Sequence, residues 1–267
     1  MIEINIDPTM FTLGPLVIAW HGFFSAVGLA VALWIVAWLV QGSSVTADDV
    51  YTVALAAVPG GIVGARLLFV MENWRLYTNN LLGVLAINEG GISIYGAVIG
   101  GSIAGAVFAR YSKRPIAFLA DRAVIGLVSG QAIGRIGDII NGEHHGKEAD
   151  LPWSVTYTHP LTLGEQGLAV HPAVAYELLF DVFVGLVLYW FLKRQQREGM
   201  TYVLYLFLYA LGRLWVGFYR KDLLIAAGLG MAQLIAVVFL IVSAVWFAWL
   251  LRDTQQGTRA ARRRAAR

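Results

Sequence analysis

The segment "LVIAWHGFFSAVGLAVALWIVAWLV", residues 16–40, contains no Asp, Glu, Lys or Arg. About 20 consecutive apolar residues are enough for one α-helix to cross the hydrocarbon core of a bilayer. A second segment without these residues lies near the other end of the chain, at residues 224–250. The first segment is too long for the core of a cleavable signal peptide, and no basic residue precedes it, so we predict a transmembrane helix.

The composition of the whole chain agrees with this prediction. Of 267 residues, 58% are hydrophobic and 14% are charged, whereas a soluble domain carries about 25% charged residues. We predict an all-α integral membrane protein whose residues 1–251 form one polytopic domain, followed by a basic tail at 252–267. The seven transmembrane helices are expected near residues 16–41, 50–71, 92–110, 116–136, 170–193, 200–218 and 224–251.

The distribution of Lys and Arg predicts the orientation, because basic loops stay on the cytoplasmic side. With seven spans, thirteen of these residues fall on one side and five on the other. We therefore expect the N-terminus outside, the C-terminus inside, and a small extracytoplasmic connection at about residues 137–169. The tail is interpreted as a topology anchor on anionic lipid, and nothing else in the sequence suggests nucleic-acid binding.

Glycines spaced four residues apart recur in the predicted spans. Small residues on one face of a helix let two backbones approach closely in lipid, so we interpret them as packing positions. No glycine-rich loop is followed by a lysine, as a phosphate-binding P-loop requires. The spaced positions are Gly60 and Gly64, Gly96 and Gly100, Gly101 and Gly105, and Gly126, Gly130 and Gly134.

Charged residues inside the spans are costly unless they are paired or face water. Arg66 and Glu177 have a structural alternative, which is mutual pairing. Few carboxylates are available at the depth of Arg135 and Arg213, so we expect these two side chains to be unpaired and to bind an anionic headgroup.

The polar stretch "GRIGDIINGEHHG", residues 134–146, contrasts with the apolar chain around it. Its adjacent His144 and His145 do not predict a metal site, because neighbouring side chains diverge and no third ligand has a suitable spacing. The chain contains no cysteine, so it has no thiolate ligand or cysteine nucleophile of its own.

This stretch resembles the signature of the bacterial prolipoprotein diacylglyceryl transferase family. Four further motifs resemble that family's landmarks in the same order along nearly the whole chain: "GGISIYGAVIGG" (90–101), "VHPAVAYE" (170–177), "LGRLWVGFYR" (211–220) and "MAQL" (231–234). The resemblance implies a multi-pass enzyme of the bacterial cell membrane without a cofactor. Such an enzyme transfers diacylglyceryl from phosphatidylglycerol to the lipobox cysteine of prolipoprotein signal peptides and releases glycerol 1-phosphate.

The same resemblance assigns expected roles to individual residues. Those expected to be catalytic are His21, Tyr95 and Arg213. Those expected to bind phosphatidylglycerol are Arg135, Asp138, Asn141, Glu143 and Gly146. Those expected to support the site are Arg66, His171, Tyr176, Glu177 and Gln233. For His171, a purely structural hydrogen bond at a helix that follows a proline is the favoured alternative.

The chain departs from the family pattern at four positions. Tyr95 stands where the family often has His, and His21 stands where it often has Tyr. Asp138 replaces an Asn, and Gly217 replaces an acidic residue. A free imidazole titrates near pH 6.5 and a phenol near pH 10, so we predict that His21 is the general base and that Tyr95 orients the headgroup. The alternative is that the arginines alone favour the thiolate.

Two other functions remain open from the sequence. A seven-span anion transporter would also use intramembrane arginines, although no internal repeat is visible between the halves. A lipid-binding homologue without catalytic activity is the other alternative, and it would tolerate replacement of Arg135.

Overall fold

The computed structural model describes residues 1–14, 16–78, 80–85 and 91–265; for residues 16 and 254–265 the backbone alone is described. Within these ranges seven helices are long and apolar enough to cross a membrane, which confirms the predicted number. They are α1 (Trp20–Leu39), α2 (Ala47–Glu72), α3 (Ile94–Tyr111), α4 (Ile116–Asn141), α5 (Ala173–Leu192), α6 (Met200–Gly217) and α7 (Met231–Ala265), with the apolar part of α7 ending at Asp253.

Short strands also occur, although the sequence predicted only helices. They are β1 (Ile2–Ile4), β2 (Thr9–Leu13), β3 (Leu16–Ala19), β4 (Val155–Tyr157), β5 (Ala169–Val170), β6 (Leu224–Ala226) and β7 (Leu229–Gly230). Strand β4 pairs in parallel with β1 and antiparallel with β5, while β2–β3 and β6–β7 are antiparallel pairs.

Three predicted helix boundaries were wrong. Residues 16–19 form β3, and residues 224–230 form the hairpin of β6 and β7. The hairpin reverses at Ala227 and Gly228, whose φ angles of 51° and 72° suit a tight turn. Helix α4 continues to Asn141, so the first part of the polar signature is helical and does not belong to the connection. A short apolar run has the same composition in a strand and in a helix, and composition alone cannot separate them.

The chain divides into two compact units, which are described separately. One unit is Val36–Ala120, and the other combines Met1–Ile35 with Asp121–Arg267. The expected single polytopic domain stays a prediction, and residues 266 and 267 of the expected basic tail lie outside the described residues.

Helices α2 and α3 of the first unit pack through glycines. A Cβ added to Gly64 would lie 2.8 Å from the Cα of Gly100, and a Cβ added to Gly100 would lie 2.8 Å from the Cα of Gly64. No side chain fits in these gaps, which confirms the packing role expected for these two positions. Thr46 and Asp49 cap the start of α2 reciprocally through a side-chain and backbone pair.

In the second unit, the start of α1 lies against the end of α4. A Cβ added to Gly137 would be 2.7 Å from the Cα of His21, so glycine allows this contact. Trp20 fixes the start of α1, because its backbone N–H donates to Pro8 O at 3.1 Å and its indole N–H donates to Asp7 O at 3.0 Å. The two helices therefore bring His21 close to the polar signature.

The other end of α4 carries a fully buried carboxylate, Asp121. It accepts hydrogen bonds from the backbone N–H groups of Gly199 at 2.6 Å and Tyr202 at 2.9 Å, and from the side chain of Gln195 at 2.8 Å. These backbone groups lie at the start of α6, where a helix leaves N–H donors without partners. Asp121 thus caps α6 from a different helix, which explains a buried charge in the first turns of α4.

We predict that Asp121→Ala lowers the free energy of unfolding by about 2–4 kcal/mol, because it leaves buried N–H donors without an acceptor. The measurement is thermal or denaturant unfolding of the purified protein in detergent. Asp150→Ala is the matched control, since Asp150 is exposed in a loop and its loss should have little effect. Equal stabilities of the two variants would contradict the capping role.

Candidate functional site

Three arginines converge on one buried carboxylate in the unit that contains residues 1–35 and 121–265. Glu177, in the second turn of α5, accepts a hydrogen bond from Arg213 Nη1 at 2.6 Å. Arg135 Nη2 lies 2.8 Å from its other carboxylate oxygen, and Arg220 Nη1 lies 3.5 Å from the first. We call Arg135, Arg213 and Arg220 the arginine cluster.

The expectation that Arg135 and Arg213 are unpaired was therefore wrong. Both contact Glu177, and Arg135 also donates to Asp138 at 2.8 Å. The reason is helix packing, because α4, α5 and α6 meet at the ends that carry these residues. A sequence gives the depth of a charge along its own helix, but it does not show which helices face each other.

Asp138 forms a second centre beside the cluster. It is 3% exposed, and one oxygen lies 2.5 Å from His21 Nδ1 while the other binds Arg135. Arg135 and Asp138 are three residues apart on α4, which places both on one helix face. The carboxylate of Asp138 thus connects His21 to the arginine cluster.

His21 is oriented by this contact. An ionised carboxylate only accepts hydrogen bonds, so the proton between the two side chains resides on His21 Nδ1. The side chain of His21 is 42% exposed, and Nε2 has no hydrogen-bond partner among the residues that the structure describes. The arrangement is that of an imidazole held by a buried acid, with its second nitrogen available to a substrate.

His144 extends the network on the other side of Asp138. Arg220 Nη2 lies 3.1 Å from His144 Nδ1, and a guanidinium can only donate, so Nδ1 is the acceptor and Nε2 carries the proton. Nε2 lies 3.7 Å from Asp138. Burial, together with the charges of Arg220 and Arg135, lowers the pKa of His144 to about 4, so this imidazole is neutral at pH 7.

The turn after α4 holds the remaining residues of the signature. Asn141 is 2% exposed and donates to Glu143 at 3.0 Å. Gly146 pairs with Arg220 in an isolated antiparallel bridge. A Cβ added to Gly146 would collide with the carbonyl oxygen of His171. This bridge places Arg220 beside the site. The expected lipid-binding roles of Asn141, Glu143 and Gly146 stay predictions.

One nitrogen of His21 and one oxygen each of Asp138 and Glu143 lie within 4.8 Å of one another, a spacing that a metal ion could use. Both oxygens of Asp138 are already bound, however, one by His21 and one by the Arg135 guanidinium. A cation at this position would compete with a fixed positive charge. The residues therefore do not fit a metal site.

The supporting residues around α5 and α6 form an aromatic layer. His171 Nδ1 lies 3.3 Å from the hydroxyl of Tyr176, which also accepts from Trp153 at 2.9 Å. The ring of Tyr176 packs against Trp215 and Tyr219. This geometry agrees with the structural alternative for His171.

Gln233 binds backbone groups at the junction of α6 and α7. Its oxygen accepts from Gly230 N at 3.0 Å, and its nitrogen donates to Leu214 O at 3.2 Å. A Cβ on Gly217 would lie 2.6 Å from the Gln233 amide carbon. The space left by the missing acidic side chain at position 217 is thus filled by Gln233.

Arg66 and Tyr95 belong to the other unit, Val36–Ala120. Arg66 donates to three backbone carbonyls, those of Gly83 at 2.6 Å, Gly91 at 2.8 Å and Val84 at 2.9 Å. Tyr95 is the second residue of α3 and is 2% exposed. Arg66 therefore organises the segment before α3, and the headgroup-orienting role predicted for Tyr95 stays a prediction.

A cavity opens beside the arginine cluster, and we call it the arginine cavity. It measures about 260 Å³ including its open side. Polar and apolar walls both contribute to it. Its lining residues are Arg135, Glu177, Phe180, Asp181, Tyr209, Gly212, Arg213 and Val216.

Sequence reasoning missed three residues of this region. Arg220 is the last residue of the motif at 211–220, and it had been used only to predict orientation. His144 had been considered only as a metal ligand. Asp181 follows Glu177 by four residues, and this helical spacing was the signal that could have indicated a second acid on the same face.

Comparison with known proteins agrees with the motifs. The sequence profile described as prolipoprotein diacylglyceryl transferase matches residues 8–249. A phosphatidylglycerol–prolipoprotein diacylglyceryl transferase of Dehalococcoides mccartyi is 37% identical over 257 residues, covering 96% of this chain and 98% of the relative. Proteins of the same name from Clostridioides difficile and Acaryochloris marina are each 33% identical, cover 94% of this chain, and are themselves covered over 98% and 95% of their length. The chain therefore belongs to the prolipoprotein diacylglyceryl transferase family.

Proposed function

We propose that this chain transfers the diacylglyceryl group of phosphatidylglycerol to the thiol of a lipobox cysteine in a prolipoprotein. The relatives carry both substrates in their names. The observation that carries the proposal is the arginine cluster next to the Asp138–His21 pair, because transfer requires an anion site beside a proton acceptor. As a member of this family the chain is a transferase, and glycerol 1-phosphate is the second product.

The arginine cluster supplies the anion site. Three guanidinium groups share Glu177, so they present more N–H donors than this carboxylate can accept. The Nε of Arg135 is buried and has no acceptor among the described residues. Donors fixed in this way stabilise the charge that grows on a departing phosphate. Arg135 and Arg213 are therefore assigned to the phosphate, with Arg220 holding the cluster together.

The Asp138–His21 pair is assigned to the thiol. His21 Nε2 takes the proton of the substrate cysteine, and Asp138 stabilises the imidazolium that results. The thiolate attacks the carbon of the diacylglyceryl group that bears the phosphate. A C–S bond forms there as the bond between this carbon and the phosphate oxygen breaks. The electron pair of the C–O bond leaves with glycerol phosphate, which then receives the proton from His21.

The proposed location is the bacterial plasma membrane, with the N-terminus outside and the C-terminus inside. Both substrates are embedded in lipid, which suits a catalyst built from spans. In this orientation the ends of α4 and α6 and the starts of α1 and α5 face outward. The site then lies on the side to which preproteins are exported.

We predict that Arg135→Ala reduces transfer roughly 100- to 1,000-fold, the usual cost of removing one donor from developing negative charge. Arg135→Lys should recover little, because an ammonium cannot form the planar fork of a guanidinium. The assay is transfer from phosphatidylglycerol vesicles to a lipobox peptide by the purified protein.

Arg75→Ala is the control for this change, since Arg75 is exposed in the other unit. The lysine variant keeps a cation between Glu177 and Asp138, so it tests the role even if the alanine variant folds poorly. Near-native transfer by folded Arg135→Lys would contradict the assignment to the phosphate.

A second prediction concerns the proton acceptor. His21→Gln should slow transfer roughly 100-fold or more and abolish the fall in rate on the acidic side that an imidazole base produces. Asp138→Asn should slow transfer as well, because the amide cannot stabilise an imidazolium. The measurement is the pH–rate profile, with His159→Gln as control in the connection.

The exchange with Tyr95 provides a further test of the same prediction. If His21 and Tyr95 share one task, the double change His21→Tyr with Tyr95→His should restore activity that each single change removes. An unaltered acidic limb in His21→Gln would refute the base assignment and leave the arginines as the only source of thiol activation.

Topology gives an independent prediction. A reporter inserted after Lys147 should be active outside the membrane, and one fused after Arg252 should be active in the cytoplasm. The experiment uses paired reporters that each work on one side only. The inverse pattern would overturn the proposed orientation and place the arginine cluster away from exported preproteins.

A further inference from the structure

Asp181 is a buried carboxylate that the proposed mechanism does not use. It lies on α5 one turn beyond Glu177, is 5% exposed, and lines the arginine cavity. Glu177 and Asp138 each have arginine partners, whereas no hydrogen bond or ion pair reaches Asp181 from the part of the chain that the structure describes. A buried acid without a hydrogen-bonded partner is costly at membrane depth, so its presence requires an explanation.

Arg135 lines the same cavity and carries a donor that lacks an acceptor. The Nε of Arg135 is buried and has no hydrogen-bond partner among the described residues. The cavity is therefore lined by an arginine with an unsatisfied donor and by a carboxylate that accepts no hydrogen bond from the described residues. A ligand that satisfies both must bring an anionic oxygen for the arginine and a hydroxyl or similar donor for Asp181.

The positions for the anionic oxygen and for the hydroxyl of the ligand are separated along the cavity by the helical spacing of α5. Side chains four residues apart on a helix are about 5–6 Å apart at Cβ, so Asp181 lies one turn from the carboxylate that holds the cluster. A phosphate bound by Arg135 and Arg213 would place the headgroup alcohol that is esterified to it within reach of that turn. In phosphatidylglycerol this group is a three-carbon unit with two hydroxyls.

The remaining walls restrict the size of the site. A Cβ on Gly212 would collide with the ring of Phe180, so glycine at this position lets the ring close one side of the cavity. Val216 adds another apolar surface. A site that hydrogen-bonds a substrate hydroxyl discriminates strongly against an analogue that lacks it, because the buried polar group of the site is then left unpaired.

We propose that Asp181 selects the lipid donor by accepting a hydrogen bond from a hydroxyl of the glycerol headgroup. This inference rests on the proposed function and deepens it. Asp181 does not contact the breaking C–O bond, so it acts on donor recognition and leaves the chemical step to Arg135, Arg213 and His21. A headgroup without a hydroxyl leaves the buried carboxylate unpaired and is rejected.

The test compares two lipid donors that differ only in the headgroup hydroxyls, phosphatidylglycerol and phosphatidyl-n-propanol. Full-length protein transfers each to a lipobox peptide in mixed micelles, and kcat/KM is measured for both. The wild type should prefer phosphatidylglycerol by roughly 100-fold or more. Asp181→Ala should lose most of its kcat/KM with phosphatidylglycerol, keep its rate with phosphatidyl-n-propanol, and bring the ratio near one.

Two further variants complete the design. Asp181→Asn retains the volume of the side chain and should lower the ratio roughly 10-fold, so it tests the proposal if the alanine variant does not fold. Leu179→Ala is the control, because Leu179 lies on the same helix and is 66% exposed; it should keep the wild-type ratio.

The outcomes separate this proposal from the proposed function. A wild type that uses both lipids equally overturns the role of Asp181 without any variant. Equal losses with both lipids in folded Asp181→Asn show a merely structural side chain and also overturn it. A wild type that transfers neither lipid contradicts the proposed function itself.

Discussion

The site depends on the sharing of Glu177 by three guanidinium groups. Like charges repel strongly where the dielectric constant is low, so Arg135, Arg213 and Arg220 can approach one another only around an opposite charge. One carboxylate allows this approach without using all of the N–H donors. The cluster is consequently held together and still able to bind another anion. Removing Glu177 would take away the group that holds the ends of three chain segments in place.

Arg135 links this cluster to His21, the proposed proton acceptor. One of its terminal nitrogens lies beside Glu177, and the other binds Asp138, which in turn orients His21. A charge bound at the cluster therefore acts electrostatically on the His21 imidazole through two short contacts, Arg135–Asp138 and Asp138–His21. This coupling accounts for a carboxylate at position 138, because Asp138 stabilises a protonated His21 while Arg135 compensates its burial.

The number of spans and the family motifs could be read from the sequence because each depends on local composition. The hairpins at 9–19 and 224–230 could not, since an apolar strand and the first turns of an apolar helix have the same residues. The partners of Arg135 and Arg213 depend on which helices are neighbours, and that is decided by packing far along the chain. Arg220 and Asp181 were missed for the same reason, although Arg220 is the last residue of one motif and Asp181 lies one helical turn beyond Glu177 of another.

Stability alone does not explain why so many charges lie together at the ends of these helices. Replacing a buried ion pair by well-packed apolar side chains is often neutral or stabilising by about 1–4 kcal/mol, and lipid favours apolar residues further. The small residues that pack α2 against α3 show that close helix association in this chain does not require buried charges. Glu177, Asp138 and the arginines around them are thus better explained by a ligand that brings its own charge. A phosphate held at the membrane interface meets this requirement, because it contributes the anion that the cluster lacks and withdraws it again when the product leaves.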